Sequence, residues 1–240
     1  MEQRRGEAGG AAAEREALMP ERIILATGFS IFPGAPENPT AWAMSELERT
    51  GWQPEGARLV TRTLPVRFDL WESELRPLLA STKPDAVVSF GLSAKATGVT
   101  LESTARNVVA TDRLDFTGAA SARDRASTDG PAIFPTRLPL REISLALQRE
   151  NVPMARSDDA GDYLCNLLFY KLMEFAEAGG PKVAGFIHVP YLDSQAARLA
   201  ATGLPLAQVS TLTEDQLIRG VKAVVTVCVG ALTGSASPGE

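Results

Sequence analysis

Apolar positions in this chain follow two alternating rhythms. Short runs rich in β-branched and aromatic residues, RIILATG (22–28), ARLVTRTLPV (57–66) and AVVSFGL (86–92), predict strands. Between them, PTAWAMSELER (39–49) and DLWESELRPLLAS (69–81) carry apolar residues at helical spacing. The rhythm resumes with helix PLREISLALQREN (139–151), strand VPMARS (152–157), helix YLCNLLFYKLMEFAEA (163–178) and strand KVAGFIHVP (182–190). A last helix is predicted from Thr213, where TEDQ has the spacing of a capping box. Strands alternating with helices predict an α/β fold, a three-layer α/β/α sandwich in which helices flank both faces of a central twisted mixed sheet. The stretch from about Val108 to Thr136, rich in Asp, Gly, Ser and Arg, interrupts the rhythm. A connection of that length is expected to form a covering loop or small hairpin at a site.

Composition narrows the picture. The 240 residues suffice for one substantial core, and no linker-like interruption divides the interior, so a single domain over 21–232 is expected. Residues 1–20, rich in Ala, Gly, Glu and Arg, and residues 233–240 are expected to be disordered tails without chemistry. With 24 Lys+Arg against 29 Asp+Glu, the formal charge is −5 and there is no long basic block, which argues against a nucleic-acid partner. Apolar runs such as AVVTVCVGAL fall short of the roughly 20 residues that cross a bilayer, and the N-terminus lacks the apolar core of a signal peptide. No membrane association and a cytoplasmic location are therefore expected. Two cysteines, Cys165 and Cys228, cannot make a disulfide framework, and together with one histidine, His188, they cannot complete a Cys/His zinc site.

The remaining chemistry gathers on few residues. Cys165 stands in the first turns of a predicted helix, whose N-terminal amides favour an anion. His188 ends an apolar strand, where α/β proteins place functional groups. A thiol of pKa near 8.5 needs a proton acceptor to act as a nucleophile at neutral pH, and His188 is the only histidine available. Taken alone, a cysteine in an apolar helix is more often packing than catalysis, and a lone histidine at a strand end is more often structural. Cys228, with only apolar neighbours, reads as core.

Four motifs in order change that balance. They are TGFSIF (27–32) followed by Asn38 and Pro39, FGLSAKATGVTLESTARN (90–107), SDDAGDYLCN (157–166) and GFIHVPYL (185–192). From Arg22 to about Leu232 the sequence resembles the pyroglutamyl-peptidase family, the type I pyrrolidone-carboxylate peptidases, which are cysteine peptidases. The resemblance implies Cys165 as nucleophile, His188 as its proton-transfer partner and Glu102 as the carboxylate that supports the imidazole. It implies hydrolysis of the amide bond after an N-terminal pyroglutamyl residue of peptides, through a thioester and without metal or cofactor. Phe29 and Phe32 match positions that line the family's lactam slot, and Tyr163 and Leu164 match its apolar or aromatic pocket positions. A homo-oligomer, dimer or tetramer, is implied by resemblance alone.

The sequence also departs from the pattern. Ser103 follows Glu102 where the family carries arginine, with Arg106 three positions later, so a supporting ion pair is expected to be lost or rerouted. SAKA replaces a glycine pair, and VVATDRLDFTG matches the family's equivalent stretch poorly. Two competing readings follow: a related cysteine amidase for another small cyclic or acyl group, and a non-catalytic peptide-binding relative.

Overall fold

Two strands buried over nearly their whole length, β3 (Ala86–Leu92) and β8 (Val183–Val189), form the centre of the sheet. Such unbroken apolar runs arise where a strand is covered on both faces. The computed structural model describes residues 21–31, 37–201 and 209–234. The two expected tails (apart from 233–234) and Phe32 lie outside the described residues.

The other elements, in chain order, are β1 (Arg22–Phe29), α1 (Pro39–Thr50), β2 (Ala57–Leu64), a π-helical turn (Trp71–Leu75) continuing into α2 (Arg76–Thr82), β4 (Val99–Glu102), β5 (Thr104–Arg106) and β6 (Ile133–Pro135). They continue with α3 (Leu140–Arg149), β7 (Met154–Ser157), α4 (Leu164–Glu177), β9 (Tyr191–Leu192), α5 (Asp193–Ala201), β10 (Thr211–Leu212) and α6 (Glu214–Thr233). The main sheet has the order β2-β1-β3-β8-β4-β7. Every neighbouring pair is parallel except β4 and β8, which run antiparallel with Thr100 opposite His188. The sheet is therefore mixed, as expected.

Side-chain alternation divides the core between two faces. Ile24, Ala26, Val88, Phe90, Leu101 and Ile187 face α1, α3 and α6, whereas Leu25, Val87, Ala184 and Phe186 face α2 and α4. Full burial of each large aliphatic side chain stabilises the fold by about 1.5–3 kcal/mol. Helix α6 is long and apolar enough to span a membrane by length and composition, a length the short apolar runs did not suggest. Leu217, Val221, Val224, Val225 and Cys228 on α6 instead form a stripe buried in the first core. Its start carries the predicted capping box, with Thr213 and Gln216 exchanging side-chain-to-backbone bonds.

Several predicted boundaries shift. The strand at 57–66 ends at Leu64, before Pro65. The helix at 69–81 opens as a π turn, in which Arg76 N–H bonds to Trp71 O, because Pro77 has no N–H with which to continue an α-helical ladder. The irregular segment 108–136 ends in β6, which pairs antiparallel with β5; residues 107–132 lie between the two strands, so this is a long covering loop closed by a short ladder, not a small hairpin.

The NP dipeptide explains how the first motif is built. Asn38 caps α1 by accepting from Thr40 N at 3.0 Å, Pro39 occupies the first helical turn, and Asn38 Nδ2 donates to Ser30 O at 3.0 Å. Thr40 Oγ1 accepts from Phe29 N at 2.9 Å and donates to Asn38 Oδ1 at 2.8 Å. The end of β1 is thereby tied to the start of α1. Gly28 permits this approach, since a Cβ there would lie 2.5 Å from Thr40 O.

Candidate active site

The three candidate groups come from three elements and meet on one face of the sheet. Glu102 ends β4, His188 lies near the end of β8, and Cys165 is the second residue of α4. Thr100 pairs with His188 across the ladder, and alternation puts Glu102 and His188 on the same face as Phe186, the face that α4 covers. His188 Nδ1 lies 2.7 Å from Glu102 Oε1, with the two residues only 6% and 2% exposed. With Nδ1–H donating to the carboxylate, the opposite ring nitrogen is left for the hydrogen bond to Cys165. Gly91 leaves room for the sulfur, because a Cβ there would stand 3.0 Å from Cys165 Sγ and 2.6 Å from the Phe186 ring.

Burial alone would push the His188 imidazole down. The hydrogen bonds and negative charge of Cys165 and Glu102 outweigh it and hold the imidazole up at about 9. A pKa raised above the unfolded value of 6.5 contributes stability that is fully present below pH 6.5 and is lost as pH rises through about 9. Glu102→Gln removes one of the charges that favour the imidazolium. The alkaline limb of kcat/KM is therefore expected to move to lower pH in that variant, which a pH–rate profile checks; an unmoved limb would contradict the account.

Glu102 Oε2 is buried and has no hydrogen-bond partner among the described residues. Arg106 does not take the place of the family's arginine: its Nη1 pairs with Asp159 Oδ2 at 2.6 Å. Among the described residues the Ser103 side chain makes only a 3.3 Å hydroxyl contact to Thr104 and does not reach Glu102. Among the described residues no arginine supports Glu102, whose ion-pair partner is His188, and Arg106 is committed to the loop before α4 instead. Cys228, by contrast, is fully enclosed, and burial pushes its thiol up to about 12, as a core cysteine requires.

A cavity of about 750 Å³ opens over Cys165 and His188. Phe29, Tyr163 and Leu164 line it, so three of the four expected pocket residues are brought together; Phe32 is the one outside the described residues. Phe29 also packs on Phe186, with ring centroids 6.4 Å apart, and so belongs to wall and core alike. Tyr163 is held on three sides: its hydroxyl donates to Leu114 O at 2.6 Å, Phe68 meets its ring edge-on at 5.7 Å, and Arg113 lies 4.3 Å over the ring. The backbone N–H groups of Leu164, Cys165 and Asn166 precede the first intrahelical bond, Leu167 N to Tyr163 O, and, without partners among the described residues, form the positive end of α4 beside the sulfur.

The covering segment is tied down by residues to which sequence reasoning gave no role. Asn166 Oδ1 accepts from Arg106 N at 2.9 Å, and its Nδ2 donates to Arg106 O at 2.8 Å and Val108 O at 3.0 Å. Asn107 holds the far end through Ser127 N, Ser127 O and Gly130 O. Asp115 accepts from Phe68 N, Thr117 N, Thr117 Oγ1 and Ala119 N. Burial pushes its carboxyl up, but these bonds prevail and hold it below the usual range. Both asparagines stand inside quoted motifs, which was the available signal. Leu92 and Tyr191, which also line the cavity, had that same signal, whereas Val66 had none. Among the described residues no group of three or more His, Cys, Asp or Glu side chains is placed to hold a metal ion.

A thiol and a carboxylate-bonded imidazole lining one cavity, on an α/β sheet beside a helix N-terminus, place this protein with the hydrolytic enzymes that use a thiol. A family model described as pyroglutamyl peptidase matches residues 22–230. The pyrrolidone-carboxylate peptidase of Clavibacter michiganensis is 33% identical over 211 residues, covering 88% of this chain and 94% of that one. That of Bacillus subtilis is 31% identical over 205 residues, covering 85% and 91%. Among solved structures, the pyrrolidone carboxyl peptidase from Thermococcus litoralis superposes with a TM-score of 0.82 at 28% identity, covering 91% of this chain and 98% of that one. The chain belongs to the pyroglutamyl peptidase family.

Proposed function

We propose that this enzyme hydrolyses the amide bond after an N-terminal pyroglutamyl residue of peptides, with Cys165, His188 and Glu102 in named roles. The observation that carries the reading is that Cys165, His188 and Glu102 line one cavity in a chain of this family, with His188 Nδ1 2.7 Å from Glu102 Oε1. His188 takes the Cys165 proton, and the thiolate adds to the pyroglutamyl carbonyl. The free N–H groups at the start of α4 stabilise the oxyanion. As the tetrahedral species collapses, the C–N bond breaks and His188 protonates the departing amine, leaving a thioester on Cys165. Water then adds to the thioester with His188 taking its proton, pyroglutamate leaves, and the proton returns to the thiol. Glu102 keeps the imidazole in its tautomer and balances the imidazolium.

Phe29, Tyr163 and Leu164 supply apolar walls suited to a small neutral lactam. Phe32 is proposed as a fourth wall on the motif alone. Under reducing conditions, turnover is expected with a fluorogenic pyroglutamyl amide. The corresponding prolyl and glutaminyl amides, whose charged amines would be desolvated in the slot, should fall at least ~10²-fold in kcat/KM. Equal rates on all three would refute the lactam slot. The need for a free thiol supports a reducing, cytoplasmic setting. The proposed dimer or tetramer rests on the family resemblance, and light scattering after gel filtration decides it.

A further inference from the structure

A five-membered lactam fills only a fraction of a cavity of about 750 Å³, so the residue after the scissile bond also has space within it. Its side of the cavity follows from the chemistry. The departing amine takes its proton from His188, and β8 lies two strands beyond β1, which carries the slot residue Phe29. Next to His188 stands the loop that follows β3: Ser93 N donates to Val189 O at 3.0 Å. Ser93, Ala94, Lys95, Ala96 and Thr97 of this loop line the cavity. It is also where SAKA departs from the family's glycine pair.

Most charges around the cavity are already answered. Asp159 pairs with Arg106 at 2.6 Å, Asp162 with Arg113 at 3.5 Å, and Glu102 with His188. Arg156 also lines the cavity and has no carboxylate partner among the described residues, but its Nη2 donates to Ser144 Oγ of α3 at 3.2 Å, on the face of its ladder partner Leu101, opposite that of Glu102. Lys95 is exposed, and no carboxylate among the described residues lies within ion-pair distance of it. An ammonium without a carboxylate partner, on the cavity loop next to His188, attracts a carboxylate and repels a cation.

We propose that Lys95 makes this enzyme select pyroglutamyl peptides whose next residue is acidic. The proposal rests on the pyroglutamyl-amide reading above. The test uses three peptides, pyroglutamyl-Glu, pyroglutamyl-Gln and pyroglutamyl-Lys, each followed by the same neutral tail, with the fluorogenic pyroglutamyl amide run alongside on the wild type. In low salt, wild-type kcat/KM is expected to fall in the order Glu, Gln, Lys by about threefold to fivefold per step, as exposed ion pairs allow, and the steps should shrink as salt is added. Lys95→Ala should bring the three ratios close to one, and Lys95→Glu should invert them. Equal wild-type rates on the three peptides, or an unaltered order in Lys95→Ala, would overturn the proposal. If the wild type turns over neither the fluorogenic amide nor any peptide, the pyroglutamyl reading itself falls.

Discussion

Cys165→Ala is expected to lose turnover of a pyroglutamyl amide by roughly 10⁴-fold or more while keeping its fold, because removing a nucleophile eliminates the covalent route and leaves only binding and oxyanion stabilisation. The fold should survive because the sulfur is half-buried, at the border of cavity and core. The helix behind it is held by Leu168, Phe169, Leu172 and Met173, all fully buried. Far-ultraviolet circular dichroism and the melting temperature should therefore match the wild type within a few degrees while activity disappears. Retention of even a tenth of the activity would remove Cys165 from the mechanism. Cys228→Ala supplies the control for thiol chemistry in general: its thiol is enclosed by α6 and the sheet, so any effect on rate should come only through stability.

Asn166→Ala has the largest expected effect on stability. This fully buried amide makes three hydrogen bonds to the backbone of Arg106 and Val108, about sixty positions earlier in the chain. Alanine would leave Arg106 N–H and Val108 C=O without this partner, while Arg106 O keeps its bond from Val108 N; each unsatisfied buried group costs about 1–3 kcal/mol, so a loss of about 2 kcal/mol or more is expected. Urea or thermal unfolding measures it. The same change releases β5 and the start of the covering segment, so kcat/KM should fall as well, although Asn166 touches none of the reacting atoms. A variant as stable as the wild type would show that the clamp is not what holds the segment.

The contrast between Cys165 and Asn166, neighbours in sequence, shows what the sequence made legible. Elements with a strong local signal stood out: β3 was predicted to the residue, and the capping box at Thr213 was read from four letters. Strands β4, β5 and β6 did not, since three or four residues carry too little periodicity and their pairing is long-range. Nor did the reversal of β4 against β8, although it is what sets Glu102 and His188 on one face. Neither Cys165 nor His188 was separable from core residues by pattern alone; the order and spacing of motifs distinguished them. The roles of Asn107 and Asn166 stayed hidden because their partners are distant in the chain and are backbone groups, which leave no mark on sequence.

Active-site labelling shows whether the Cys165 sulfur is the atom that attacks the substrate. Pyroglutamyl chloromethyl ketone, a lactam with an electrophile in place of the scissile amide, should alkylate one sulfur, that of Cys165, with activity falling in step with the labelled fraction by peptide mass mapping. Free pyroglutamate should slow the labelling, and Cys228 should remain unmodified. Full labelling of Cys165 with activity intact, or loss of activity with the label elsewhere, would contradict the account.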